Sequence, residues 1–348
     1  MNQTDKQIQT DPRCTLLETQ KFGPFVKLGN GDILTIEAGG TIVSADNGVS
    51  WSQPRPIYEG PGPGKPGNSG VLIRTHDGVL VYVYMDMEDF KWSWDDERQE
   101  AAEDVRLNVW AIRGEDEGER WGMRQQLFDG YCGALINMIQ TRTGDIVVPI
   151  QRMLRDPCRH AICVYGSSDN GANWWHSNII DLGGHGHHDG AMEPTIVELN
   201  DGRLWMLIRT NLGVFWSAYS SDNGMSWRVI HPSEIDASSA PAAIIRLASG
   251  RLALVWNRFY PEGVTDYPLR GGDCNLASVE TSWHREEVAL AFSSDDGDTW
   301  SEPTVILRIE GGGPSYPHLF EPVPGELWAV TQFRDQVAMR LKESDFVG

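Results

Sequence analysis

The chain has 348 residues, 40% of them hydrophobic and 14 of them Trp, enough for one large all-β domain or two average ones. Its 29 Lys and Arg against 49 Asp and Glu leave a net charge of −20, which repels nucleic acid and anionic membranes and argues against both as partners. No apolar run of about 18 residues exists to cross a membrane. Met1–Gln20 hold no apolar signal core, and the five Cys lack CxxC spacing, so reduced thiols and a cytoplasmic location are expected.

Residues 1–13 read as a flexible tail, and residues 14–348 as one domain. Cys14–Thr19 (CTLLET) is a short apolar strand with no obvious neighbour in sequence. Phe25–Leu28 is the next apolar run, followed by a turn glycine and strand at Gly31 (GDILTI). Ser44–Trp51 then spells S-x-D-x-G-x-x-W. A second glycine and strand begin at Gly78 (GVLVYV), after which Asp86–Asp104 form an acidic insertion carrying Trp92 and Trp94. A degenerate motif without its Ser occupies Asp116–Trp121. Gly144 (GDIVVPI) and an intact motif at Ser167–Trp174 follow. The run Gly183–Gly190 holds His185, His187, His188 and Asp189 and leads directly into Glu193. Gly202 (GRLWMLI), the motif Ser220–Trp227 and Gly250 (GRLALVW) come next. The stretch 259–284 is irregular and carries Tyr260, Tyr267 and Trp283. The last motif, Ser293–Trp300, precedes the sixth hairpin at Gly325 (GELWAV).

Six glycine hairpins, each followed by a third strand and, in most cases, by the motif and a fourth strand, predict a six-bladed β-propeller of four-stranded antiparallel blades. Helices are expected to be minor, because no segment sustains a 3.6-residue periodicity. The final blade offers only three strands (316–321, 327–333 and 337–342), so Cys14–Thr19 is expected to complete it and close the ring. In each motif the Asp can accept amides across a tight turn, the Gly supplies positive φ and the Trp packs beneath. These are structural turns.

The motifs make the chain resemble the sialidase superfamily of Asp-box (BNR) propellers over roughly residues 21–340. Glu193–Arg209 is similar to the family segment with a catalytic Glu and a substrate-binding Arg. Arg285–Asp295 is similar to the stretch in which a second Arg precedes an Asp box, and Tyr316 holds the place of the nucleophilic Tyr. The resemblance implies Glu193 and Tyr316 as base and nucleophile, with Arg209 and Arg285 clamping an anion. A neutral Tyr suits a substrate whose carboxylate would repel an anionic nucleophile, and Arg forks bind carboxylates bidentately. Two family parts are missing. Phe22–Gly23–Pro24 stand where the first Arg belongs, and the link Glu37–Thr41 has no acid/base Asp. A poor sialidase is expected.

Position alone adds further candidates. Arg152, Arg209, Arg258 and Arg334 end equivalent hairpin strands and are expected to contact an anionic ligand at one mouth. Asp86, Asp89, His187 and His188 are the nominees for the missing acid, His being suited to proton transfer near neutral pH. The spacing His-x-His-His-Asp matches no common zinc signature, so neither metal nor other cofactor is expected. The leading reading is a glycoside hydrolase acting on an acidic or deoxy sugar. A propeller polysaccharide lyase for uronate glycans and a non-catalytic carbohydrate-binding propeller are the alternatives. Sugar, linkage and oligomeric state stay open.

Overall fold

The computed structural model describes residues 7–19, 21–60, 64–67 and 69–347. Six antiparallel sheets succeed one another along the chain, each contributing one blade. Blade 1 runs Phe25–Lys27, Ile33–Glu37, Gly40–Ser44, Arg55–Pro56, and blade 2 Gly70–Arg74, Leu80–Met85, Val109–Glu115, Arg120–Phe128. Blade 3 is Ile139–Gln140, Ile146–Leu154, Arg159–Ser167, Trp175–Ile180, and blade 4 Met192–Glu198, Leu204–Arg209, Val214–Ser220, Val229–Asp236. Blade 5 is Ala243–Arg246, Leu252–Trp256, Glu287–Ser293, Thr304–Ile309, and blade 6 Ser315–Val323, Glu326–Phe333, Ala338–Lys342. The fold is a six-bladed propeller.

All six predicted hairpin glycines adopt positive φ, from 80° at Gly325 to 99° at Gly144. That geometry is nearly free for glycine alone and fixes the first turn of every blade. In the four intact motifs the Asp accepts the backbone amide four residues on, as from Ser50 to Asp46 at 2.8 Å. The leading Ser does more than the sequence suggested. Its hydroxyl donates to the Asp and accepts the Gly amide, closing the turn from inside. Each motif glycine also abuts the second strand of the preceding blade: Gly48 meets Trp328, Gly171 Val81, Gly224 Val147 and Gly297 Trp205.

The core lies between blades. Six apolar clusters each join one sheet to the next, for example Phe25 and Ile33 with Trp328 and Val330, or Leu254 and Ala291 with Leu207 and Phe215. Apolar alternation along each strand thus serves two interfaces at once.

The N-terminal stretch closes the ring. Thr15–Leu16 pair with Arg340 and Met339 as the fourth strand of blade 6. Within the stretch read as a tail, Ile8–Thr10 form a fifth strand on blade 5, against Leu307–Ile309. Residues 1–6 lie outside the described residues. No helix of the described residues is long and apolar enough to cross a membrane.

Candidate functional site

Glu193 and Tyr316 occupy equivalent places, each the second residue of the innermost strand of its blade. Both carry positive φ, 37° and 57°, and at Glu193 the pairing register slips between Met192 and Thr195. A non-glycine residue held there is strained, and such strain accumulates at functional sites. The Tyr316 hydroxyl donates to Glu193 Oε1 at 2.6 Å across 123 residues of sequence. Blades 4 and 6 therefore meet at one locus, as the sequence predicts.

Arg209 ends the strand beside Glu193, its Cα opposite Met192. Its Nη1 donates to Glu193 Oε2 and, at 3.4 Å, to the Tyr316 oxygen. Nε and Nη2 both donate to Ser239 Oγ, which in turn donates to Asn211. The guanidinium is only 1% exposed. The guanidinium expected to clamp an anion is thus engaged by Glu193, Tyr316 and Ser239.

Arg285 is different. It is also buried, yet its sole hydrogen-bond acceptor among the described residues is the Ser239 carbonyl, and its Nε has none. Burial and the nearby Arg209 lower its pKa to about 10. The guanidinium lies about equally far from the rings of Trp283, Tyr316 and Phe333, 5.5–5.6 Å to each centroid. A buried cation without a carboxylate is costly unless an anion joins it. Arg334 also lies near the Phe333 ring, 5.7 Å from its centroid, exposed and at φ 57°.

Burial pushes the Tyr316 hydroxyl up to about 12, and the Glu193 charge adds to this, against the opposing pull of Arg209 and Arg285. Tyr316 is therefore neutral at rest, with its proton already directed at a base. It also lines a cavity of about 460 Å³ between blades 6, 1, 2 and 3, together with Lys21, Phe22, Glu37, Gln332 and Phe333.

The other expected residues divide. Arg152 does not reach this locus: it lies over the Phe128 ring, 5.2 Å from the centroid. Side chains alternate along a strand, so its neighbour Gln151 faces inward and accepts the Glu193 amide at 2.9 Å. Arg258 likewise pairs with Asp236, while Asn257 turns in and donates to the Glu287 and Pro314 carbonyls. Asp86 is 1% exposed and accepts the amides of Gly64 and Glu88, so it offers no free carboxyl. Asp89 is bound in a fork by Arg106.

His187 and His188 contact each other through their Nδ1 atoms and stand among aromatics, His187 with Trp94 at 5.2 Å and His188 with Trp283 at 5.4 Å. Burial and Arg209 push His188 down to about 2, which keeps it neutral and a weak base. Asp189 ties the loop to another, accepting from His185 N, Gly190 N and Ser278. Among the described residues no cluster of three or more His, Cys, Asp or Glu could hold a metal ion.

Sequence reasoning missed several participants. Gln151 bonds both Glu193 and buried His160, which in turn contacts the His187 carbonyl. Ser239 links the two Arg residues. Neither has a motif; strand parity was the signal for Gln151, and Ser239, in the link between Asp236 and Ala243, had none. Trp283 covers both guanidiniums, 5.7 Å from Arg209 and 5.5 Å from Arg285.

A model of the BNR repeat-like domain matches residues 40–327, most of the chain. The chain belongs to that family. No curated protein sequence matches it. Among solved structures, this BNR propeller is similar to a protein of unknown function from Dyadobacter fermentans, at 15% identity and TM-score 0.64, over 96% of this chain and 98% of that one. It is similar to the NanB sialidase of Streptococcus pneumoniae at 12% identity and TM-score 0.62, over 97% and 70%. The intramolecular trans-sialidase of Ruminococcus gnavus gives 14% and 0.59, over 94% and 95%. At such identities the likeness carries the sialidase-like fold.

Proposed function

We propose that the protein is a glycoside hydrolase acting on a sugar that bears an acidic group, with Tyr316 as nucleophile and Glu193 as its base. The observation that carries this reading is the Tyr316–Glu193–Arg209 chain beside Arg285, a buried cation with no carboxylate partner among the described residues. Attack by Tyr316 Oη on the anomeric carbon passes its proton to Glu193 Oε1 while the bond to the departing oxygen breaks. Arg209 keeps the Glu193 carboxylate aimed. Arg285, with Arg334 at the rim, neutralises the acid group of the sugar. Water then releases the sugar from Tyr316, and the proton on Glu193 returns.

The lyase alternative takes its base from a Tyr or a His; burial and Arg209 keep His188 a weak base, which leaves Tyr316 as the group for that role. The test is a panel of aryl glycosides of sialic and uronic acids, with matching polysaccharides, read for released aryl group, reducing ends and unsaturated-uronate absorbance. Hydrolysis in the wild type, lost by about two decades or more in both Tyr316→Phe and Glu193→Gln, supports the reading. Unsaturated products would establish the lyase instead, and binding without turnover a lectin-like propeller.

A further inference from the structure

In the 460 Å³ cavity that Tyr316 lines, Lys21 and Glu37 are the only other titratable side chains among the described residues. Lys21 Nζ donates to both Glu37 oxygens, at 2.6 and 2.7 Å. The pair is not buried: the side chains are 26% and 40% exposed, so an incoming solute can reach both. Lys21 lies just before Phe22, the residue in place of an expected Arg. Glu37 ends the second strand of blade 1, at the start of the link that has no Asp. Blade 6 stands between blades 5 and 1, so Tyr316 has Arg285 on one flank and the Lys21–Glu37 pair on the other.

We propose, on the basis of the hydrolase reading above, that this ion pair is a switch operated by the substrate. The acid group of the arriving sugar takes Lys21 away from Glu37, and the released Glu37 carboxyl becomes the proton donor to the departing oxygen. The physical argument has two steps. An exposed ion pair contributes roughly 0–1 kcal/mol, so an anion that enters the cavity competes for the ammonium at little cost. A carboxyl no longer held by the ammonium is free to turn toward the departing oxygen in the cavity that it shares with Tyr316, the position an acid catalyst must take.

The chemistry balances. Glu37 draws its proton from solvent and gives it to the glycosidic oxygen as the Tyr316 Oη–carbon bond forms. In the second half it takes a proton from the attacking water, while Glu193 returns its own to Tyr316. Lys21 changes partner but not charge.

The decisive experiment separates binding from turnover in Lys21→Met, Lys21→Arg, Glu37→Gln and Glu37→Asp. Binding of free N-acetylneuraminic acid and of D-glucuronic acid is measured by calorimetry. Turnover is compared on an aryl and an alkyl glycoside of the same acidic sugar. Lys21→Met should weaken binding about 10-fold, and Lys21→Arg should largely restore it. Glu37→Gln should bind several-fold tighter, because nothing competes for Lys21. It should also lose about 100-fold in rate on the alkyl glycoside, whose leaving oxygen needs a proton, and far less on the aryl one. Glu37→Asp, keeping the carboxyl, should retain more alkyl activity than Glu37→Gln.

Unchanged affinity in Glu37→Gln, or equal rate losses on the two aglycones, would overturn the switch while leaving Tyr316 and Glu193 in place. If neither sugar binds and no glycoside of the panel is cleaved, the hydrolase reading fails and the switch with it.

Discussion

Arg209 and Arg285 are both buried, at 1% and 8% exposure, but among the described residues only Arg209 has a carboxylate partner. Their removal should therefore act in opposite ways. Arg209→Met leaves Glu193 buried and uncompensated, and should cost about 3–5 kcal/mol, read as a fall in Tm of several degrees. Arg285→Met removes an unpaired buried charge and should leave Tm unchanged or higher, while abolishing affinity for acidic sugars. A melt for Arg285→Met as poor as that for Arg209→Met would make Arg285 structural. Glu193, Tyr316 and Arg285 were legible because each sits in a string similar to a family segment. Arg152 and Arg258 misled because strand ends were read without their parity, and one residue decides which face a side chain takes. Glu37 is hard to single out in the sequence because it stands at the edge of the link, as the last residue of a strand, and not inside it.

Turns separate the two uses of glycine in this fold. Gly31, at φ 95°, has nothing within 4 Å of a would-be Cβ, whereas at Gly48, φ 86°, that atom would fall 2.4 Å from the Trp328 ring. Gly31→Ala should cost only the left-handed strain, about 1–2 kcal/mol. Gly48→Ala adds a clash with a buried indole of the neighbouring blade and should cost clearly more in chemical denaturation. Equal losses would mean that the motif does not brace the blade before it. Hairpins and motifs could be read because their glycines stand at fixed offsets from apolar runs. The His185–Asp189 loop could not, since its Asp is satisfied by Ser278, 89 residues away in the insertion of blade 5. Its histidines looked like free acids and bases, and the aromatics that confine them come from two distant insertions.

For the whole molecule, ring closure was legible from a shortage: blade 6 lacked a strand and Cys14–Thr19 had no other use. Deleting residues 1–16 should expose the edge at Ala338–Lys342 and lower Tm by many degrees; an unchanged melt would show that the pairing adds nothing. Acid should weaken the fold before carboxylates are involved. Burial lowers His160 and His318 to about 4 and His188 to about 2. Unfolded His takes up a proton near pH 6.5, so these groups contribute no penalty above that value. As pH falls from 6.5 toward 4, the unfolded chain binds protons that the folded one refuses, and stability drops. Tm measured from pH 7.5 to 5 should decline over the lower part of that range, and a flat profile would contradict the burial of these rings.

The pairing of Thr15 with Arg340 also sets a timetable for synthesis. This strand must wait for a partner more than 300 residues later, on the order of tens of seconds at about 5–20 residues per second. During that interval blade 1 has no blade 6 beside it, and the faces of Phe25 and Ile33 that will meet Trp328 stand open to water. The nascent chain is an incomplete arc with one apolar flank, and two such arcs can satisfy each other as readily as one arc can close. Faster translation, or slower meeting of neighbouring chains, should favour the single ring over the exchanged pair.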